Sequence, residues 1–299
     1  MFPIRHSDRV LQALYYGSRW RLKRLLRIPE KPYAAVINTG IDEATKRYRR
    51  ICETILEHLP KPNSMVGSVV AEIGCGDCLA AADLMLGIGA RHVHLIEYFP
   101  IVVTQSHCEA LKPLVDDLSL PNRGEILDTE CIRLNPSRAT AHQGLLEDIG
   151  IPEPVDLVYS FDVVEHVEDL NGFFDCCAKM LRPGGISLHK FDLSGHEYFE
   201  DPLPPLEFQT YPTWLFNLIF PKYRRAVGNF GDTIMDAMRN QGLEIIEVVP
   251  IRKADPEYLD AVWPRLRKEA RLRSREIVSL LDVIVIAKKY RGMKCLGSK

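Results

Sequence analysis

The sequence predicts an α/β protein built on a seven-stranded, mostly parallel sheet with helices on both faces. Three observations predict it. Short apolar runs alternate with stretches of helical periodicity from residue 68 onward, as strands joined by crossover helices do. The first run, 68–73, ends in Gly74-Cys75-Gly76, a tight turn that leads into a helix over 79–86. The second run, 92–97, closes on Glu97, about 20 residues after the turn, where a carboxylate can accept hydrogen bonds from both ribose hydroxyls of a nucleoside.

Composition sets the limits of the reading. A chain of 299 residues sustains one large domain, or a domain with a cap. Its 46% hydrophobic and 26% charged residues describe an ordinary globular protein, and a net charge of −2 argues against a general nucleic-acid binder. Eight scattered cysteines form no compact disulfide framework, which points to a reducing, cytoplasmic setting. Cys75 and Cys78 have CxxC spacing, but no second pair accompanies them and Cys75 lies inside the turn, so a zinc site is disfavoured. No apolar run reaches the roughly 18 residues a bilayer span needs, and no signal-peptide pattern opens the chain.

In chain order, residues 5–28 are basic and partly amphipathic. They read either as an interfacial helix on an anionic membrane or as a helix laid on the domain with solvated arginines. Gly17 interrupts the pattern, which favours the second reading and leaves peripheral membrane contact as the weaker one. Pro29 and Pro32 end the segment, a helix follows over 42–58, and Pro60 and Pro62 lead into the first strand. Helices are expected over 101–118, 170–181 and 233–240. Strands are expected over 140–144, 154–161, 186–191, 243–249 and 281–288. Between Tyr198 and Phe230 stand nine aromatic residues, with prolines at 202, 204, 205, 212 and 221. This composition reads as a cap over the substrate side, as a small satellite core, or as both. The arginine-rich stretch 255–279 looks helical and reads as a basic lid for a phosphorylated acceptor or, more commonly, as a solvated face.

The turn does not carry the dinucleotide fingerprint, because Leu79 stands where a third glycine belongs. Glu72, two residues before the first glycine, suits a cationic ligand group better than a pyrophosphate. Both facts count against a nucleotide-dependent dehydrogenase. Glu72-Ile73-Gly74-Cys75-Gly76 instead resembles the E/D-x-G-x-G motif of class I S-adenosylmethionine-dependent methyltransferases. The run over 154–191, with Leu181-Arg182-Pro183-Gly184-Gly185 before its last strand, resembles the later half of the same domain. The resemblance covers about residues 65–191; more weakly, the chain is similar to bacterial members of surface-glycan and natural-product pathways.

That resemblance implies a Rossmann-like fold with S-adenosylmethionine as cofactor, its amino-acid end on the turn and its ribose on Glu97. The implied cofactor set is Glu72, Gly74, Cys75, Gly76, Glu97, Tyr98, Leu146 and Phe161. Family members often place an acid directly after the third strand, near adenine. Here Leu145 and Leu146 come first, which leaves Asp148 or backbone groups for that contact. The implied layout is an N-terminal helical segment, 1–62, and a methyltransferase domain, 63–299, with a cap insertion at 194–230 and a helical insertion at 252–280.

Methyl transfer is an in-line displacement, so the protein must align the acceptor and, for a hydroxyl, take its proton. The candidates follow the fourth and fifth strands: His166 as base, with Glu165, Asp192 and His196 beside it. A sharper alternative reads Asp162, Glu165 and His166 as D-x-x-E-H at the start of a helix. With His189 or His196 they would hold a divalent cation such as magnesium, as similar E-x-x-E-H patterns do in related O-methyltransferases. Two function classes follow. One is an enzyme methylating a small-molecule hydroxyl, on a sugar or biosynthetic intermediate; the other is a noncatalytic methyltransferase-like protein that binds a partner.

Overall fold

The computed structural model describes residues 18, 40–59, 65–114, 118, 125–195, 204–212 and 229–290. The basic segment at 5–28 (apart from Ser18), His196 and most of the aromatic stretch after it lie outside the described residues.

Helix α1 (Ile41–His58) buries Ala44, Tyr48, Cys52 and Ile55, a spacing that lays one face on the sheet. Strand β1 (Val69–Ile73) is buried along its whole length, as a strand covered on both faces must be. The glycine turn follows, then α2 (Ala80–Gly87), β2 (His92–Glu97) and α3 (Gln105–Leu111). A short antiparallel ribbon, β3 (Leu127–Asp128) with β4 (Arg133–Leu134), precedes β5 (Ala139–Gln143). Then come β6 (Val155–Phe161), α4 (Leu170–Met180), β7 (Leu181–Asp192), α5 (Gly231–Asn240) and β8 (Leu243–Lys253). Three short helices, α6 (Pro256–Val262), α7 (Lys268–Arg271) and α8 (Arg275–Ser279), lead into β9 (Leu280–Lys289).

The main sheet has the order β5-β2-β1-β6-β7-β9-β8. The pairs β1–β2, β1–β6, β2–β5 and β6–β7 are parallel, while β9 runs antiparallel to both its neighbours. The seven-stranded, mostly parallel sheet is therefore present, with apolar layers on both faces. One layer joins Tyr48, Leu79, Leu84 and Met85 to the β-strand residues Val70, Leu95, Leu157 and Ile284. The opposite layer joins Phe173, Phe174, Ile234 and Met238 of α4 and α5 to Ala71, Val158, Phe191 and Val285.

Several segments differ from the sequence expectation, among them β7, which starts at Leu181 rather than 186, and three more. Helix α3 starts at Gln105 rather than 101, because the run Ile101-Val102-Val103-Thr104 is β-branched and Thr104 serves as N-cap. The cap is reciprocal: His107 Nδ1 lies 2.8 Å from Thr104 Oγ1 and accepts from the Thr104 N–H at 3.1 Å. The stretch 255–279 is broken into separate short helices, with fresh starts at Pro256, Pro264 and the N-cap Ser274. Strand β8 runs to Lys253, four residues past the expected end, and so carries Arg252 to the ligand edge of the sheet.

A smaller third core joins the two insertions. Leu206 and Phe230 from 194–230 pack with Leu259, Val262, Leu266 and Ala270 of the helical insertion. The Leu206 N–H donates to Tyr258 Oη at 2.9 Å, which ties the two insertions together. The described part of the aromatic stretch is thus a satellite core shared with the helical insertion.

Candidate cofactor and acceptor site

Strand order reverses beside β1, with β2 on one side and β6 on the other. In open α/β sheets the crevice outside the carboxyl ends of the strands, at such a reversal, is where ligands bind. The glycine turn lies there. Gly74 and Gly76 have φ of +73° and +57°, a backbone region that favours glycine. A Cβ built on Gly74 would sit 2.4 Å from Val163 Cγ2, so the turn after β1 and the turn after β6 touch through a contact only glycine permits. A Cβ on Gly76 or on Gly144, after β5, would meet nothing within 4 Å, which leaves open space along this edge.

Glu97 ties the edge together. Its Oε2 accepts the Gly76 N–H at 2.8 Å, and its Oε1 accepts the N–H groups of Tyr98 and Phe99 at 2.9 and 3.3 Å. A carboxylate offers about four lone-pair positions, so this one retains acceptor capacity toward ligand hydroxyls. Tyr98 is 59% exposed and packs edge-on against Phe99. Leu146, in a 3₁₀ turn (Leu146–Asp148), and Phe161, at the end of β6, are both partly buried near the same edge. Glu72 and Cys75 are buried beneath the turn, with Glu72 Oε2 accepting the Tyr159 hydroxyl at 2.9 Å. Burial raises the Glu72 pKa to about 8, with the Tyr159 hydrogen bond opposing and the nearby Glu97 charge adding to the rise. Open glycine positions, a ribose-type acid and a buried carboxyl beneath the turn fit S-adenosylmethionine.

On the β6 side, the residues expected to form one helical face do not. Asp162 has φ +55°, Val164–His166 is a 3₁₀ turn, and the helix starts only at Leu170. The helical face expected for Asp162, Glu165 and His166 is corrected here, since their i, i+3, i+4 spacing does not fall on one α-helix. His189 is fully buried, with Nδ1 2.7 Å from Ser160 Oγ and Nε2 2.7 Å from Ser187 Oγ. Burial lowers its pKa to about 3, and Phe173 and Phe174 pack edge-on against the ring. Both nitrogens are engaged inside the core, so His189 cannot turn to a cation at the edge. Among the described residues, no group of three or more His, Cys, Asp or Glu side chains converges to hold a metal ion.

Glu165 is 1% exposed, and its Oε1 accepts the Asp192 N–H at 3.4 Å. Burial, reinforced by the charge of Asp162, pushes the pKa of this carboxyl well above the usual range. A chain of charges then crosses the edge. Lys190 Nζ lies 2.5 Å from Asp162 Oδ1 and 3.5 Å from Asp282 Oδ1. Arg252 reaches Asp282 at 2.6 Å, Asp192 at 3.3 Å and Ser194 Oγ at 3.0 Å. Burial works against the Lys190 ammonium, yet Asp162, Asp282 and Asp192 hold its pKa above the usual lysine value. Sequence reasoning missed Tyr159, Lys190, Arg252 and Asp282. The available signal was a lysine and an aspartate inside otherwise apolar strands. Three arginines of the helical insertion, by contrast, are engaged structurally. Arg265 pairs with Glu207, Arg273 with Asp232 while stacking over Phe230, and Arg275 with Asp260 while lying over Trp263.

Residues 71–188 match the family model for a methyltransferase domain. With the strand order and the glycine-turn site, this match identifies the region as an S-adenosylmethionine-dependent methyltransferase domain of the class I type. Among its relatives, the ubiquinone biosynthesis O-methyltransferase of Caulobacter vibrioides is 50% identical over 48 residues, 16% of this chain and 18% of that protein. A probable S-adenosylmethionine-dependent methyltransferase of Mycolicibacterium smegmatis is 29% identical over 150 residues, 50% of this chain and 46% of that protein. The chain thus spans less than half the length of either relative. Among solved structures, phosphoethanolamine N-methyltransferase 2 of Haemonchus contortus, in complex with S-adenosyl-L-methionine, aligns at 16% identity. It has a TM-score of 0.47 and covers 81% of this chain and 52% of that one. No helix among the described residues is long and apolar enough to cross a membrane.

Proposed function

We propose that the protein transfers the methyl group of S-adenosylmethionine to a hydroxyl of a small-molecule acceptor, a sugar or a biosynthetic intermediate. The observation that carries this reading is the Gly76 N–H to Glu97 hydrogen bond, which joins the glycine turn and the ribose-type acid into one cradle at the open edge. When bound, the cofactor supplies the activated methyl group. The chain's own residues do the rest. Glu97 and the turn hold the nucleoside and amino-acid ends, with Tyr98, Leu146 and Phe161 beside them. His166 takes the acceptor proton, with Asp192 and Glu165, joined by the Asp192 N–H to Glu165 Oε1 hydrogen bond, beside it. His196, outside the described residues, belongs to the same acceptor side in this reading. The choice of a hydroxyl is supported by the O-methyltransferase names of the short-matching relatives. In this reading the insertion at 194–230 serves as the acceptor-side cap, and the described cysteines, all free thiols, support a reducing, cytoplasmic setting.

The test is transfer of radiolabelled methyl from S-adenosylmethionine to a panel of phenols, sugars and amines. Label in a phenol or sugar, reduced at least tenfold by His166→Ala, is the expected result. Label confined to amines would contradict the hydroxyl reading. Tight cofactor binding with no transfer to any member would favour a noncatalytic binding protein.

A further inference from the structure

Glu72 is a buried acid with no buried base. It is the penultimate residue of the fully buried strand β1, two residues before the first glycine of the turn, and is 4% exposed. Among the described residues its side chain has one hydrogen-bond partner, the Tyr159 hydroxyl at 2.9 Å, and no lysine, arginine or histidine pairs with it. The titratable groups facing it are Tyr159 from β6, Cys52 from α1, Cys75 and Cys78 from the turn, and Glu97 from the end of β2. None of these is a cation. An isolated carboxylate in such a place is costly, and the group keeps its proton instead.

We propose that Glu72 is stored as a neutral acid in the free protein and gives its proton to solvent when the α-ammonium of the cofactor's zwitterionic amino-acid end settles beside it on the glycine turn. Cofactor binding and proton release are then one event. The inference rests on the cofactor reading above. The ligand's α-ammonium is the countercharge that the site lacks, so its arrival favours the carboxylate. A ligand with the nucleoside but without the amino acid leaves Glu72 protonated. The raised pKa of about 8 is consistent with this and places the linkage near neutral pH.

The experiment is calorimetric titration of the full chain in buffers of different ionisation enthalpy, at several pH values between 6 and 8. S-adenosylhomocysteine is compared with 5′-methylthioadenosine, which lacks the amino-acid arm. Near pH 6.5, S-adenosylhomocysteine is expected to release about one proton, with affinity rising up to about tenfold per pH unit below the acid's pKa. Methylthioadenosine is expected to release none. Glu72→Gln is expected to bind S-adenosylhomocysteine without proton release, and Tyr159→Phe to keep the release and carry it to higher pH. The wild-type comparison needs no variant, so a misfolded substitution leaves the test intact. Proton-free binding of S-adenosylhomocysteine, equal release by both ligands, or undiminished release by folded Glu72→Gln would overturn the proposal while leaving the cofactor reading in place. Absence of binding by either ligand would overturn the cofactor reading and this inference with it.

Discussion

At Gly74 two constraints coincide: a positive φ and a neighbour, Val163, where a side chain would have to go. Gly74→Ala is expected to cost about 1–3 kcal/mol of stability and to weaken cofactor binding, because relief requires moving the turn or the Asp162–Val163 segment. Urea unfolding and ligand titration of the variant check this, and unchanged values for both would contradict it. His189→Ala is expected to cost about 2–4 kcal/mol, since it leaves a cavity and strips Ser160 and Ser187 of their partner. Near-wild-type stability would contradict the core role given to this histidine. At this scale, legibility followed chain-local geometry. Gly74, Gly76 and Glu97 were readable because each sits at a fixed distance from a strand end. The Tyr159–Glu72 and Lys190–Asp162 contacts were not, because they depend on how strands pair and how far the chain twists after β6. The helical face expected for D-x-x-E-H is missing for the same reason: the spacing is helical, but residues 162–166 do not form an α-helix.

Strands were the most legible elements, since each apolar run maps onto one strand of the main sheet. Helix ends and breaks were less so, as the late start of α3 and the divided stretch after Asp255 demonstrate. Strands β2 and β5 also bring together histidines that sequence reading left unremarked. His94 Nδ1 lies 3.0 Å from His142 Nε2, His92 Nε2 lies 2.9 Å from Thr140 Oγ1, and the His92 and His94 rings are 4.9 Å apart. Burial, followed by the neighbouring His92 and His142, lowers the His94 pKa to about 4; burial lowers those of His92 and His142 as well. Each folded pKa lies below the unfolded value of about 6.5, so the folded state binds fewer protons than the unfolded chain. Their contribution to stability is therefore complete above about pH 6.5 and is lost as pH falls toward 4. Urea midpoints measured from pH 7.5 to 4.5 are expected to fall across this window, with a shallower fall in His94→Asn. A slope unaltered by that substitution would contradict a part for this cluster.

The molecule as a whole carries two sheet-face cores and a third, smaller one that joins its insertions. The sheet explains why the cofactor residues converge although β1, β2 and β6 are separated in sequence: adjacent parallel strands end at a common edge. The third core explains the arginine-rich stretch. Arg265, Arg273 and Arg275 each meet an acid, and Arg273 and Arg275 also lie over aromatic rings. Composition revealed the basic residues but not their partners, which come from distant parts of the chain. The central claim, that this edge is a cofactor cradle held by Glu97, is tested most directly by calorimetric titration of S-adenosylhomocysteine into wild type and Glu97→Ala. Wild type is expected to bind, and the substitution to weaken binding by about tenfold or more, as loss of hydrogen bonds to a charged group does. Equal affinity in a folded Glu97→Ala variant, or no binding by wild type, would contradict the account.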